Sequence, residues 1–154
     1  MKFLRTANDR YFFQFDHGDE KAMFEFLLRL YPVIPSAHQA LSKTSANLDE
    51  HQRLLDEALA EQRKENKQHV EKLLKDTGRF KETETGVEMN LSAGEIEWLL
   101  QVLNDVRVGN WILLGSPEEH PRFDPDADDA PNVIALGLAS NFQMDLLTAI
   151  KHNA

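Results

Sequence analysis

Apolar positions recur along this chain with two different periods, and the switches between them mark its elements. Near the N-terminus, Phe3-Leu4 and Tyr11-Phe12-Phe13-Gln14-Phe15 are strand-favouring runs separated by the turn pair Asn8-Asp9. They predict a β-hairpin over residues 2–6 and 11–16, with Tyr11, Phe13 and Phe15 on one face. The period then lengthens. Met23, Phe26, Leu27 and Leu30 recur at helical spacing, which predicts a helix over residues 19–31 with Asp16 or Asp19 as its cap. Phe24 and Leu28 make its other side apolar, so wide burial is expected. Pro32 and Pro35 end it, because proline lacks a donor and disfavours a helical predecessor.

A long helix is predicted from about Asn47, where Asn47-Leu48-Asp49-Glu50 has a capping-box-like order, to Thr77-Gly78. Leu48, Leu55 and Leu59 mark one face, with Leu54 and Ala58 beside it, and Val70, Leu73 and Leu74 resume it. Residues 61–69 contain no apolar side chain, which predicts a middle that bridges solvent or bends away from the core. Residues 86–91 alternate strictly, with Val87, Met89 and Leu91 inward, as a third strand. Ser92-Ala93-Gly94-Glu95 is a capping box, and Leu91 with Ile96 has the spacing of a hydrophobic staple. The helix opened there runs through Ile96, Leu99, Leu100, Leu103, Val106 and Trp111 to about Leu114, before Gly115-Ser116-Pro117. A last helix is predicted over residues 131–151, with Pro131 in its first turn and the apolar residues Val133, Ile134, Leu136, Leu138, Phe142, Leu146, Leu147 and Ile150 along it. The expected fold is one domain over 1–154, mainly α with a small antiparallel hairpin or three-stranded sheet (α+β), around a helical bundle-like core.

Composition changes this picture in two places. The chain has no cysteine, which removes disulfides, zinc–thiolate sites and thiol nucleophiles and suits a reducing, cytoplasmic compartment. Its formal net charge is -9, and the segment between Gly115 and Ala130 carries Glu118, Glu119, Asp124, Asp126, Asp128 and Asp129 against Arg122 alone. Such a surface repels phosphate backbones, so nucleic acid is not an expected partner. The first ten residues lack the apolar run of a signal peptide. No stretch is expected to supply the ~20 apolar residues of a membrane span, so no membrane partner is expected either.

Chemistry-bearing positions are few. Arg107 continues the face of Leu100 and Leu103, so it either snorkels or is buried beside a carboxylate such as Asp105 or Asp145. With Asn104 and Asp105 it forms the candidate ligand-binding group, Arg107 being the anion clamp. Asp124-Pro125-Asp126-Ala127-Asp128-Asp129 begins like a calcium loop, but Asp129 stands where glycine is needed and Ala135 where a bidentate glutamate is needed. A solvated loop and helix cap is the reading this favours, with weak divalent-cation binding as the alternative. Asp16-His17-Gly18-Asp19-Glu20 has acid/base-competent types at a strand-to-helix junction that calls for Asp and Gly anyway. The remaining histidines, His38, His51, His69, His120 and His152, show no i,i+4 pairing, and no phosphate-loop, dinucleotide-binding, zinc-protease or nucleophile-elbow motif occurs.

Leu91-Ser92-Ala93-Gly94-Glu95, Leu103-Asn104-Asp105-Val106-Arg107 and Leu114-Gly115, with Phe142-Gln143-Met144-Asp145-Leu146-Leu147 more loosely, resemble an uncharacterised helical bacterial family. That family is best known from actinobacteria, where it is often encoded beside the adaptor of the Clp protease. The resemblance covers a third of the chain. It implies a helical fold and an unassigned, regulatory kind of role, it brings no catalytic residues, and it does not imply that this protein binds a protease. The functional expectation is therefore a non-enzymatic interaction or regulatory protein, with no cofactor and no metal, whose partners are a second copy of itself or another protein. The consecutive apolar residues Trp111, Ile112 and Leu113 support an oligomer interface. The alternative is an enzyme on a small polar substrate, with Arg107 as clamp and a carboxylate or His17 as base.

Overall fold

The computed structural model describes residues 1–34 and 46–153, without the side chains of His17 and of residues 46–48. The expectations placed on Pro35 and His38, and the state of residues 36–45, lie outside the described residues. Among those described, β1 (Lys2–Ala7), β2 (Arg10–Asp16), α1 (His17–Leu30), α2 (Ala46–Lys75), a 3-10 turn (Thr77–Arg79), β3 (Phe80–Thr83), β4 (Gly86–Ser92), α3 (Ala93–Leu113) and α4 (Ala130–His152) follow in order. The α+β class is as expected.

The sheet is antiparallel with strand order β1-β2-β4-β3. Asn8 and Asp9 both take positive φ, 52° and 59°, the left-handed pair that joins β1 to β2 in a turn whose twist suits a hairpin. Side chains alternate across the pleat, so Phe13, Phe15, Val87, Met89 and Leu91 are all buried on one face. The opposite face carries Arg5, Phe12 and Glu88. Arg5 binds Glu88 through both of its terminal nitrogens, at 3.3 and 3.2 Å, and its guanidinium lies 4.3 Å from the Phe12 ring centre. The sheet has four strands where two or three were expected. β3 escaped because Phe80-Lys81-Glu82-Thr83 has a single apolar residue. It is a short, charged edge strand, and those features blunt unwanted pairing.

α1, α3 and α4 cover the apolar face. Phe15, Phe24 and Phe142, from β2, α1 and α4, meet with ring centres 5.3 to 6.5 Å apart in tilted and edge-on geometries, the arrangement the ring quadrupoles favour. β2 runs into α1 without a loop. Asp16 is the N-cap, and its side chain makes no cap hydrogen bond, contrary to expectation. Asp19 and Glu20 instead sit in the first turn, where the helix dipole favours negative charge. α4 corrects another expectation: by length and composition alone it is long and apolar enough to span a membrane. A core helix meets the same criterion, and α4 buries Val133, Leu136, Phe142 and Leu146 in this fold. Its first half is tied to the end of α3 by the buried Asn110, which donates to the Val106 carbonyl at 2.8 Å and accepts from Asn132 at 3.1 Å.

The β4–α3 junction is closed by a reciprocal capping box. The Ser92 hydroxyl accepts from the Glu95 N–H at 3.1 Å, and the Glu95 carboxylate accepts from the Ser92 N–H at 2.7 Å. Leu91 and Ile96 on either side are fully buried. The same carboxylate takes Arg79 at 2.5 Å and Arg10 at 3.4 Å, and Arg79 also reaches Asp76 and the Asn90 carbonyl. Burial alone would raise the Glu95 pKa. The hydrogen bonds from Arg79 and the Ser92 N–H, with the charges of Arg79 and Arg10, outweigh burial and hold it below the ordinary carboxylate value. A carboxyl depressed in the folded state contributes stability that is fully present above its unfolded pKa and is lost as pH falls through the folded one. Glu95→Gln is therefore expected to lower stability at neutral pH and to flatten the acid limb of the stability curve. Urea denaturation from pH 7 down to pH 3 checks both effects, and a variant curve parallel to wild type through the acid range would refute the assignment.

Candidate functional site

α3 has two faces. Ile96, Leu99, Leu103 and Val106 point to the sheet and α4 and are fully buried. Gln101, Asn104, Asp105, Val108 and Gly109 recur three and four residues apart on another side, which faces α2. From α2 come Leu59, Gln62, Arg63 and Asn66 at the same spacing, and from the end of α1 comes Tyr31. Together these ten residues enclose an open cavity of about 270 Å³.

Its floor is polar yet buried. Tyr31 and Asn66 are each 3% exposed. The Asn66 amide accepts from Gln62 at 3.2 Å and donates to Gln101 at 3.3 Å, and it hydrogen-bonds the Tyr31 hydroxyl. Burial pushes the Tyr31 pKa up. The Asn66 hydrogen bond opposes this, the Asp105 charge adds to it and the Arg63 charge opposes it, so the phenol stays neutral with a charge of each sign nearby. Lys67 fixes the segment from below, donating to the Tyr31 carbonyl at 3.0 Å. Gly109 makes room for it: a Cβ built there would lie 2.8 Å from the Val33 Cβ.

The sequence-derived group is divided by this geometry. Asn104 and Asp105 line the cavity, whereas Arg107 is not among the lining residues and donates to the Asn104 Oδ1 at 2.8 Å. Arg107 is half-buried, and Asp145, one carboxylate considered for it, faces the Met1 amino group at 3.4 Å. Tyr31, Arg63, Asn66 and Gln101 were missed. A signal for Arg63 and Asn66 existed, since Leu59, Arg63, Asn66, Val70 and Leu73 form one helical stripe in which polar residues fill two places. The middle of α2 is accordingly not solvent-bridging throughout: Asn66 is buried against α3, and the His69 ring stacks on Trp98 at 5.3 Å.

Among the described residues, no three His, Asp or Glu side chains are placed to hold a metal ion. In the acidic loop the Asp124 side chain accepts from the Asp126 N–H at 3.0 Å, a turn interaction. His17 opens α1, but its side chain lies outside those described. Comparison with protein-family models, with curated proteins and with solved structures finds no match to this chain.

Two glycine substitutions of opposite sign follow from the packing. Gly109→Ala drives a methyl into Val33 and is expected to cost about 1–3 kcal/mol, the usual penalty of overpacking. Gly137→Ala, inside α4 with nothing within 4 Å of the added Cβ, is expected to stabilise by up to about 1 kcal/mol through helix propensity. Paired urea melts decide it, and a neutral Gly109→Ala would show that Val33 is not held against α3.

Proposed function

We propose that this protein is a non-enzymatic binding protein whose cavity between α1, α2 and α3 takes a small polar molecule, with a regulatory role following from occupancy. The observation that carries the reading is the pair Tyr31 and Asn66, buried polar groups bordering a cavity rather than sealed within apolar packing. Ligand sites combine a concave apolar wall with a few convergent polar groups, and here Leu59, Val108 and Gly109 supply the wall. Binding is favoured over catalysis because the lining is rich in amides and a neutral phenol, which hold a ligand's hydrogen bonds and do not transfer protons at neutral pH. Asn104 and Asp105 keep the ligand-binding role expected of them, and Arg107 acts by orienting Asn104. Kinship with the helical bacterial family and a cytoplasmic setting accompany this reading as expectations. The test is a thermal-shift screen against a library of small polar metabolites, repeated on Asn66→Leu. A saturable rise in Tm that the variant loses is expected, and a library without a hit would sink the reading.

A second reading, self-association, rests on exposed apolar side chains. Trp111, Ile112 and Leu113 at the end of α3 are 39%, 38% and 55% exposed, and Met144, Leu147 and Ile150 are exposed on α4. Light scattering behind size exclusion is expected to give a dimer whose population rises with concentration and falls in Leu113→Glu or Leu147→Glu. A constant monomer mass up to hundreds of micromolar would rule it out.

A further inference from the structure

α4 turns an uncharged face to solvent. Between Ala130 and Ile150 its one charged residue is Asp145, and that carboxylate faces the Met1 amino group. Ile134, Gly137, Asn141, Met144 and Thr148 are spaced alternately three and four residues apart, so they share one side of the helix. Ile134, Met144 and the flanking Leu147 are exposed, Met144 the most at 63%. The hydroxyls of Ser140 and Thr148 donate to the carbonyls of Leu136 and Met144 at 2.8 Å each, so their hydrogens are spent within the helix. An ordinary solvated helix face carries charged residues instead. Gly137 is unexplained by the fold itself. A Cβ there would meet nothing within 4 Å, and glycine inside a helix costs about 1 kcal/mol against alanine. Backbone left bare at mid-helix suits close approach by another surface. Met144, two turns further along the same side, is a matching projection.

Notch and projection meet when the second surface is the same helix running the other way. A two-fold axis between Ser140 and Asn141 sets Met144 of one copy over Gly137 of the other, and Ile134 beside Leu147. It also brings the two Asn141 amides together, a polar pair of the kind that fixes register. The same axis carries Lys151, exposed in the last turn, to Asp128 and Asp129 of the other copy, exposed before the first. A parallel pairing would bring two acidic loops together, each holding six carboxylates against Arg122 alone, and their charges would repel. A lipid surface fits less well. Interfacial helices carry Lys and Arg along their polar face, whereas the basic residues of α4 are Lys151 and His152 at its end. We propose that two copies of this chain associate by antiparallel packing of α4 in this register. The dimer's existence rests on the self-association reading above, and its surface and orientation are what α4 adds. A 23-residue helix is about 34 Å long, and one strip of it covers less than the ~800 Å² per partner of standard complexes, so a weak dimer is expected.

Because the chain has no cysteine, single-cysteine variants of the full chain report the axis cleanly. Under mild oxidation, Asn141→Cys beside the axis is expected to give a disulfide-linked dimer. Ile134→Cys and Thr148→Cys are expected not to, because each would lie about 20 Å along the helices from its own copy, and a disulfide needs Cα atoms within about 7 Å. Cross-linking of all three would show parallel packing, and of none would show no α4 contact; either result overturns the proposal. Gly137→Leu fills the notch with a better helix former. Thermal stability at dilution is expected to hold or rise, while dimerisation in sedimentation equilibrium weakens by about tenfold or more, the scale of a lost interface anchor. Lys151→Glu is expected to weaken the dimer, and Asp128→Lys added to it to restore it. A dimer that survives Gly137→Leu without an Asn141→Cys link, and that Leu113→Glu dissolves, overturns the α4 pairing and leaves self-association standing. A monomer at every concentration overturns both, whether or not it binds neutral phosphatidylcholine vesicles.

Discussion

The reciprocal bond between Ser92 and Glu95 sets the phase of the molecule. β4 passes into α3 without a loop, so the strand's inward residue Leu91 and the helix's first core residue Ile96 are linked by a rigid corner rather than a flexible connection. Once Leu91 points into the core, Ile96, Leu99, Leu103 and Val106 must follow it around the helix. The side of α3 bearing Gln101, Asn104 and Asp105 is then turned away from the sheet. The placement of the cavity is a consequence of strand register carried through one corner. Arg79 and Arg10 strengthen that corner by closing on the same carboxylate from the 3-10 turn and from β2.

The inner core is crystal-like in its logic, the outer layer less so. Aromatic rings from three elements converge where the sheet meets α1 and α4. α2 lies on the far side of α3 and is held differently. Val70 and Leu73 anchor its second half in the apolar cluster, while Asn66, His69 and Lys67 make amide, stacking and carbonyl contacts. Nearer its start, Leu54 and Leu55 are each 52% exposed.

Legibility in the sequence followed how local each determinant is. The capping box, the strict alternation of Val87, Met89 and Leu91, and the Asn8-Asp9 turn were readable because their partners lie a few residues away. β3 was not, because its one apolar residue gives no period and its pairing is dictated by β4. Only the α3 side of the candidate site was legible in part: Asn104 and Asp105 share a helix face and could be grouped. Arg63, Asn66 and Tyr31 join them only through the packing of three helices, and Asn66 looked solvated because polarity is the usual sign of exposure. Arg107 drew attention by its type, yet its reach is spent on Asn104, one turn away on its own helix.

The uneven attachment of α2 has a dynamic meaning. Local opening follows the weakest cooperative unit, and segments with few buried apolar contacts separate at lower free energy than the core they lean on. In this protein that unit is the first half of α2, from Asp49 to Arg63, which carries the cavity-lining residues Leu59, Gln62 and Arg63 while burying little of its own. Its amides should therefore exchange with solvent far sooner than those of α3 and α4. A guest that bridges α2 to α3 would slow that exchange, so occupancy would be written into the rigidity of one helix and not into any rearrangement of the sheet.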